Sequence, residues 1–359
     1  MDISRLAAVY EAAGPFATVT LDVGHDSENA VHEHELRVRG ACERLTLAGA
    51  EEHVVRRISE LLGETVEEPA PVARTVVVTA EGVWFDDVIH QSVDQPVVSW
   101  EPLPDLLGWV RMAERNTRFA LALVDHEGGD LSVYNSDVPE PEVETTAGGE
   151  TLHVHKTGAG GWAALKYEHE TENVWHRNAE AVADELESLV RGGVRLVLVG
   201  GDPKSLGQLM ERLEKSQAEI VQLESGGRAA DGGEQARADA IRKALLDHSV
   251  SRRLELSHLL KDRLGQNFAV AAGVRDVADA FVQGQVETLV TDPDALAEHD
   301  LAVTDHPGLS IGVPGDSPVR ADLGLLAAAV HTGAEVAILP KAAMGGAPVA
   351  ALLRWNQSS

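Results

Sequence analysis

The run Val194-Arg-Leu-Val-Leu-Val-Gly-Gly-Asp202 limits what this chain can fold into more than any other stretch. A short, nearly all-apolar run ending in glycine reads as a strand buried on both faces, and such a strand needs a covering layer on each side. Asp202-Pro203 then opens a helix over roughly 204–217. Ahead of the run, Trp175, Ala179, Val182, Leu186 and Leu189 recur at spacings of 4, 3, 4 and 3, an apolar seam that packs a helix on a sheet. Strand alternating with helix predicts an α/β architecture.

The chain divides into three blocks, expected as domains over 1–112, 113–226 and 227–359. The first is read as α+β: a strand within 15–23, helices over 29–47 and 51–62, a hairpin over 74–90 turning at Glu81-Gly82, and a short helix after Pro102 and Pro104. The second opens with a strand pair over 118–134, turning at Gly128-Gly129. A polar connection over 139–150, a strand over 151–156, a glycine loop and a long helix follow. A glycine-rich linker over 224–239 leads to the third block, with an amphipathic helix ending near Leu264. Helix then strand is expected within 268–292, and helix, glycine, strand over 320–340 with Gly333 as the C-terminal cap. This block reads as a compact α/β/α sandwich.

The 359 residues, 44% apolar and 25% charged, suffice for several hydrophobic cores. No apolar run has the length of a membrane span. The N-terminus has no basic start followed by an apolar run, and Cys42 is the single cysteine, which excludes an intrachain disulfide and a multi-cysteine zinc site. The expected location is cytoplasmic. A formal charge of −28 argues against a nucleic-acid binder with a broad basic stripe. RNA contact would have to come from local patches: Arg111, Arg115 and Arg118 near the first boundary, or Arg252, Arg253, Lys261 and Arg263 on the linker helix. Each of these also reads as a solvated helix face.

Several chemical motifs fail on context. Gly308-Leu-Ser-Ile-Gly312 matches G-x-S-x-G, but Val313-Pro314-Gly315 forbids the helix that a nucleophile elbow requires. His153 and His155 share a strand face without an identifiable third ligand, and His32 and His34 point apart on a helix, so no metal site is expected. Gly158-Ala-Gly160 imitates a dinucleotide loop, yet Ala163 occupies the third glycine position and the next strand comes too late. No cofactor is expected.

The glycine loop stands instead at the head of a helix whose leading half lacks the apolar seam. Residues 166–173, Lys-Tyr-Glu-His-Glu-Thr-Glu-Asn, are polar nearly all round. The turns from Trp162 to Asn173 span roughly 18 Å at 1.5 Å per residue. This predicts a loop presented on a stalk; the plainer reading is an exposed loop without a task.

Gly158-Ala-Gly160-Gly161-Trp162-Ala-Ala-Leu-Lys166-Tyr167 resembles, in step, the G-x-G-G-Q-S-A-L-R-F motif of the archaeal and eukaryotic class-1 release factors and their Pelota-like relatives. His176, Asn178 and the Ala-Val-Ala of 181–183 also fall where that family's helix has similar residues. The bacterial branch, with its Balon-like ribosome hibernation factors, is the nearest in pattern; the Vms-type peptidyl-tRNA hydrolases are relatives. The third block is similar to the family's C-terminal domain, which shares the fold of kink-turn-binding ribosomal proteins. The first block carries no decoding motif.

The resemblance implies a ribosome-associated factor that binds rRNA in the A site of idle or stalled ribosomes. Its loop, Lys156, Gly158, Gly160, Gly161, Trp162, Lys166 and Tyr167, would approach the peptidyl-transferase centre, and its third block would meet a translational GTPase, EF-Tu in a bacterium. Trp162 replaces the family's water-positioning glutamine. An indole donates one hydrogen bond and accepts none, so it suits stacking and not release chemistry. Lys156, Lys166 and Arg177 are offset by Glu168, Glu170 and Glu172 along a helix that family members keep basic. Two alternatives stand beside this reading: a Vms-type peptidyl-tRNA hydrolase working without the glutamine, and a small-molecule-binding α/β protein.

Overall fold

The computed structural model describes residues 1, 3–24, 30–63, 71–93, 95–136, 138, 140–149, 162–223, 234–312 and 318–355; the side chains of Ala30, Glu234 and residues 162–175 lie outside that description. Two compact units result, residues 1–115 with 252–359, and residues 116–251. The architecture is mixed α/β.

The chain begins with α1 (Ala7–Tyr10), β1 (Phe16–Asp22), α2 (Ala30–Leu47), α3 (Glu52–Gly63), β2 (Ala73–Thr79), β3 (Gly82–Ile89), β4 (Val97–Glu101) and α4 (Leu107–Arg115). The four strands form an antiparallel sheet in the order β3-β2-β1-β4. Alternation along β1 and β2 gives this sheet two apolar faces. Ala17, Val19, Leu21, Val76 and Val78 pack on Val38, Leu45, Val54 and Ile58 of α2 and α3. Phe16, Ala73 and Val77 turn the other way, onto Trp109 of α4.

The central part contains β5 (Arg118–Asp125), β6 (Gly128–Asn135), β7 (Val143–Gly148), α5 (Trp162–Arg191), β8 (Leu196–Gly201), α6 (Pro203–Leu213) and β9 (Glu219–Gln222). Their order is β7-β6-β5-β8-β9, antiparallel from β7 to β5 and parallel from β5 to β9. The apolar run at β8 is buried on both faces as expected. Val197 and Val199 pack with Val182 and Leu186 of α5 and Leu206 and Leu209 of α6. Leu196 and Leu198 face Ala240, Ile241 and Ala244 of the next helix, α7 (Glu234–Gln266). Asp202 caps α6, its side chain accepting from the backbone N–H groups of Lys204 and Ser205, with Pro203 at the first helical position.

Two local expectations are corrected here. The β5–β6 turn is His126-Glu127, and Gly128 already belongs to β6. Asp125 Oδ1 sets this turn by accepting from the N–H of Glu127 at 2.8 Å and of Gly128 at 3.1 Å. The polar connection contains the edge strand β7, whose exposed side chains conceal it from an apolar pattern. The expected strand over 151–156 and the loop over 157–161 lie outside the described residues.

After α7 come β10 (Val270–Ala272), α8 (Val274–Val282), β11 (Val286–Thr291), α9 (Pro293–Leu296), β12 (Asp300–Leu301), β13 (Val319–Arg320), α10 (Ala321–Thr332), β14 (Glu335–Ile338) and β15 (Val349–Leu353). The sheet β10-β15-β11-β14 carries α8 and α10 on one face and the C-terminal half of α7 on the other, an α/β/α sandwich. Gly333 ends α10 in the left-handed conformation, at φ 63°. Leu325, Leu326 and Ala329 of α10 share one buried cluster with Phe16, Val77 and Trp109. The first and third sequence blocks therefore meet in a common core inside the first unit. No helix passes through Gly308–Gly312, and the residues from 313 to 317 that follow lie outside the described residues.

Candidate functional site

The site is built on α5, a helix of 30 residues. Its covering face is Ala179, Val182, Ala183, Leu186 and Val190, all buried in the central unit. Its C-terminal end closes through Gly193, at φ 99°, and through the N–H of Val194 bonded to Leu189 O at 3.1 Å. Arg118 donates there to Gly192 O at 3.3 Å while pairing with Glu142 at 2.8 Å.

Toward its N-terminus, the helix is tied down by a polar side chain on its apolar side. Asn178 is only 2% exposed, and its Nδ2 donates to the main-chain O of His126 in the β5–β6 turn at 3.1 Å. Arg212 of α6 donates to His176 O at 3.2 Å. Fourteen residues of α5, 162–175, precede these ties, which is about 21 Å of helix.

Glycines admit the close approach at this base. A Cβ on Gly128 would meet Ala147 O at 2.3 Å, and one on Gly129 would meet Val182 Cγ2 at 3.0 Å. Gly148, at φ 91°, brings its Cα face to 3.2 Å from Asn178 Oδ1 when a Cβ is built on it. Neither the strand crossing nor the Asn178 contact leaves room for a side chain. The glycines of 128–129, read from sequence as a turn, serve here as the floor on which the helix lies.

Of the predicted loop, Lys156, Gly158, Gly160 and Gly161 lie outside the described residues, as do His153 and His155. Trp162 is the first residue of α5, and Lys166 and Tyr167 follow in its first two turns.

Several side chains of the predicted basic patches have partners within their own unit. Arg111 Nη1 holds both carboxylate oxygens of Asp294 at 3.1 Å. Arg118, in the other unit, pairs with Glu142. Arg263 Nη1 donates to Ala269 O and Leu353 O, both at 3.2 Å, and so fastens α7 to its sheet. Arg252 and Arg253 are exposed on α7, and their charges act on Glu114 of α4, one residue before Arg115. Lys261 is exposed. His34 is buried, its Nε2 2.6 Å from Leu62 O, a structural role. Among the described residues, no group of three or more His, Cys, Asp or Glu side chains is placed to hold a metal ion, and no helix is long and apolar enough to cross a membrane.

Residues 118–266 match the family model of bacterial archaeo-eukaryotic release factor family 2. Uncharacterized proteins from two strains of Mycobacterium tuberculosis are 26% identical over 347 residues, covering 94% of this chain and 92% of theirs. Among solved structures, Pelota of Archaeoglobus fulgidus is similar at 16% identity and TM-score 0.32, covering 81% of each chain. Ribosome-bound archaeal Pelota is similar at 15% identity and TM-score 0.40, covering 98% of this chain and 93% of that one. Dom34 of S. cerevisiae, a translation termination-like factor that interacts with Hbs1, is similar at 10% identity and TM-score 0.42, covering 80% and 81%.

Proposed function

We propose that the protein, whose residues 118–266 match the model of bacterial archaeo-eukaryotic release factor family 2, is a ribosome-associated translation factor. In this reading it occupies the A site of idle or stalled ribosomes, as a hibernation or rescue protein, without peptide release. The observation that carries it is the base of α5: a buried Asn178 and three glycines hold a helix whose first residue is Trp162, directly after the release-factor-like glycines.

Gly158, Gly160 and Gly161 let the backbone approach the peptidyl-transferase centre, and Trp162 stacks on a base or ribose there. Lys156, Lys166 and Tyr167 support that contact. Stacking of this kind is worth about 1–3 kcal/mol, roughly fivefold to a hundred-and-fiftyfold in affinity. The third block supplies a docking face for EF-Tu, and Arg115, Arg252 and Arg253 are the first candidates for rRNA contact in the other unit.

Cosedimentation with ribosomes from starved cells tests the reading, comparing the wild type with Trp162→Ala. The expected result is wild-type protein in the ribosomal fractions, a clear loss for the variant, and no labelled peptide freed from stalled complexes. Absence of both proteins from those fractions at low salt overturns it. Peptide release by the wild type would favour the hydrolase reading instead.

A further inference from the structure

The first unit contains a cavity of about 170 Å³ that the ribosomal reading does not use. Its polar wall includes Thr20, Gln95, Asp105, Arg320 and Asp322, and its apolar wall includes Val97, Leu107 and Met112. Arg111 and Asp294 also line it, held together as an ion pair. One side is thus charged and the other greasy, as in sites for small amphiphilic ligands.

The charges at the polar wall do not balance. Arg320 donates through Nη1 to Asp105 Oδ2 at 2.9 Å and through Nε to Asp322 Oδ1 at 3.1 Å, and it closes a second bond to Asp322 through Nη2. Asp105 is 9% exposed and Asp322 3%. Glu101 stands near enough for Arg320, Asp105 and Asp322 all to act on it. At the wall one guanidinium therefore answers two carboxylates, and Glu101, outside the lining, adds a third negative charge nearby. Burial, outweighing Arg320, lifts both Asp105 and Glu101 above the ordinary carboxylate range, which accords with missing positive charge.

A second group points the same way. Tyr10 is 5% exposed, and its hydroxyl has no hydrogen-bond partner among the described residues. The charges acting on it are those of Asp105 and Asp322. A buried hydroxyl left without a partner beside two carboxylates is costly unless something completes the set. Arg320 already fills the centre of the cluster, and the apolar wall beside it suits a ligand that carries a carbon stem with its positive charge.

We propose that this cavity binds the ammonium head of a short alkylamine, with Asp105 and Asp322 receiving its N–H donors and Val97, Leu107 and Met112 lining its stem. Tyr10 lies outside the cavity lining and is reached only by the charges of Asp105 and Asp322. The same chemistry has two sources, a free diamine and a lysine side chain of a partner protein. Neither depends on the ribosomal role.

Thermal unfolding of the full chain at low salt, with increasing n-butylammonium, tests the site. A saturable rise in Tm is expected, since a ligand bound only to the folded state stabilises it by mass action. Tetramethylammonium, which has no N–H, and n-butanol, which has no charge, should give none. Asp322→Asn and Asp105→Asn, each first shown to unfold cooperatively, should weaken the n-butylammonium response about tenfold. Putrescine and Nα-acetyl-lysine methylamide separate the sources: tighter binding of the first marks a free diamine, of the second a partner's lysine. No saturable shift with any of the three amines, an equal shift with tetramethylammonium, or unaltered binding in both folded variants overturns the proposal.

Discussion

Asn178 Nδ2 donates to the main-chain O of His126 at 3.1 Å, joining the middle of α5 to the turn between β5 and β6. The turn is itself fixed, because Asp125 Oδ1 accepts two of its N–H groups and Glu127 O accepts from Gly149 N at 2.7 Å. A long helix is thereby indexed to the end of the sheet by hydrogen bonds as well as by apolar packing. Packing sets how close the helix lies; a directional bond sets where along its length it is held.

Removing that bond has a defined cost. Asn178→Ala should destabilise the central unit by about 1–2 kcal/mol, the usual range for a buried hydrogen bond that leaves its acceptor unsatisfied. Asn178→Asp should cost more, because it sets a carboxylate oxygen against the His126 carbonyl. Urea unfolding of the full chain gives the energies. Amide exchange at Glu127, Gly128 and Gly149 should quicken in both variants, and unchanged exchange there would show that the turn does not depend on Asn178.

Gly201 offers a harsher test of the same region. It has φ 151°, and a Cβ built on it would lie 2.0 Å from Val124 O. The contact is with backbone in the parallel β5–β8 pair, so no side chain can swing aside. Gly201→Ala should cost about 3 kcal/mol or more, combining overlap with an unfavourable backbone conformation. Gly207→Ala on α6, where nothing lies within 4 Å, should instead be neutral or slightly stabilising, since alanine favours helix by about 1 kcal/mol over glycine. The denaturant midpoint should therefore fall for Gly201→Ala and stay level or rise for Gly207→Ala.

How much of this was legible follows from range along the chain. The β8 run, the Asp202-Pro203 helix start and the Gly333 cap each depend on neighbours a few residues away, and pattern alone exposed them. The strand β7 escaped because it lies at a sheet edge, where Val143, Glu144, Thr146 and Gly148 are exposed and no apolar alternation survives. The common core of the first and third blocks escaped for a different reason. Arg320 meets Asp105 across 215 positions and Ile338 N meets Glu114 across 224, and no local spacing encodes such a meeting. At the site, the glycines 128 and 129 were visible but their task was not, since their partners at Ala147 and Val182 come from later elements.

Glu114 gives the first unit a pH signature. Burial, the largest cause, raises its pKa above the ordinary 4.5, against the lowering effect of the Ile338 N–H and of the nearby N-terminus, Arg253 and Arg252. A raised folded value means that the native state holds this proton more tightly than the unfolded chain does. Its stabilising contribution is complete below the ordinary value and is lost as pH rises through the folded one. Glu114→Gln retains an acceptor for Ile338 N and cannot ionise. The variant should therefore lose part of the wild type's decline in stability as pH rises above the ordinary carboxylate value of 4.5, and should be no less stable once Glu114 of the wild type is ionised. Urea titrations across that window check it; parallel wild-type and variant curves would assign the slope elsewhere.

The last expectation concerns salt, and it separates this chain from ordinary RNA-binding proteins. A protein that neutralises phosphates releases counterions, so its affinity drops steeply as salt rises. Here the formal charge is −28, and several side chains of the predicted patches already serve internal partners: Arg111 holds Asp294, Arg118 holds Glu142, and Arg263 holds two main-chain carbonyls. Cations held in this way are less able to displace counterions, while the net negative charge repels RNA at long range. Screening acts on that repulsion first, because the Debye length shrinks from about 30 Å at 0.01 M to about 8 Å at 0.15 M. Ribosome binding driven by shape and by stacking of Trp162 should therefore hold steady or strengthen as monovalent salt rises through that range at constant magnesium, the opposite of the usual trend. Sedimentation of the purified protein with ribosomes across the series measures it. A steep loss of binding over the same interval would mean that phosphate contacts dominate, and would turn attention from the indole to Arg115, Arg252 and Arg253.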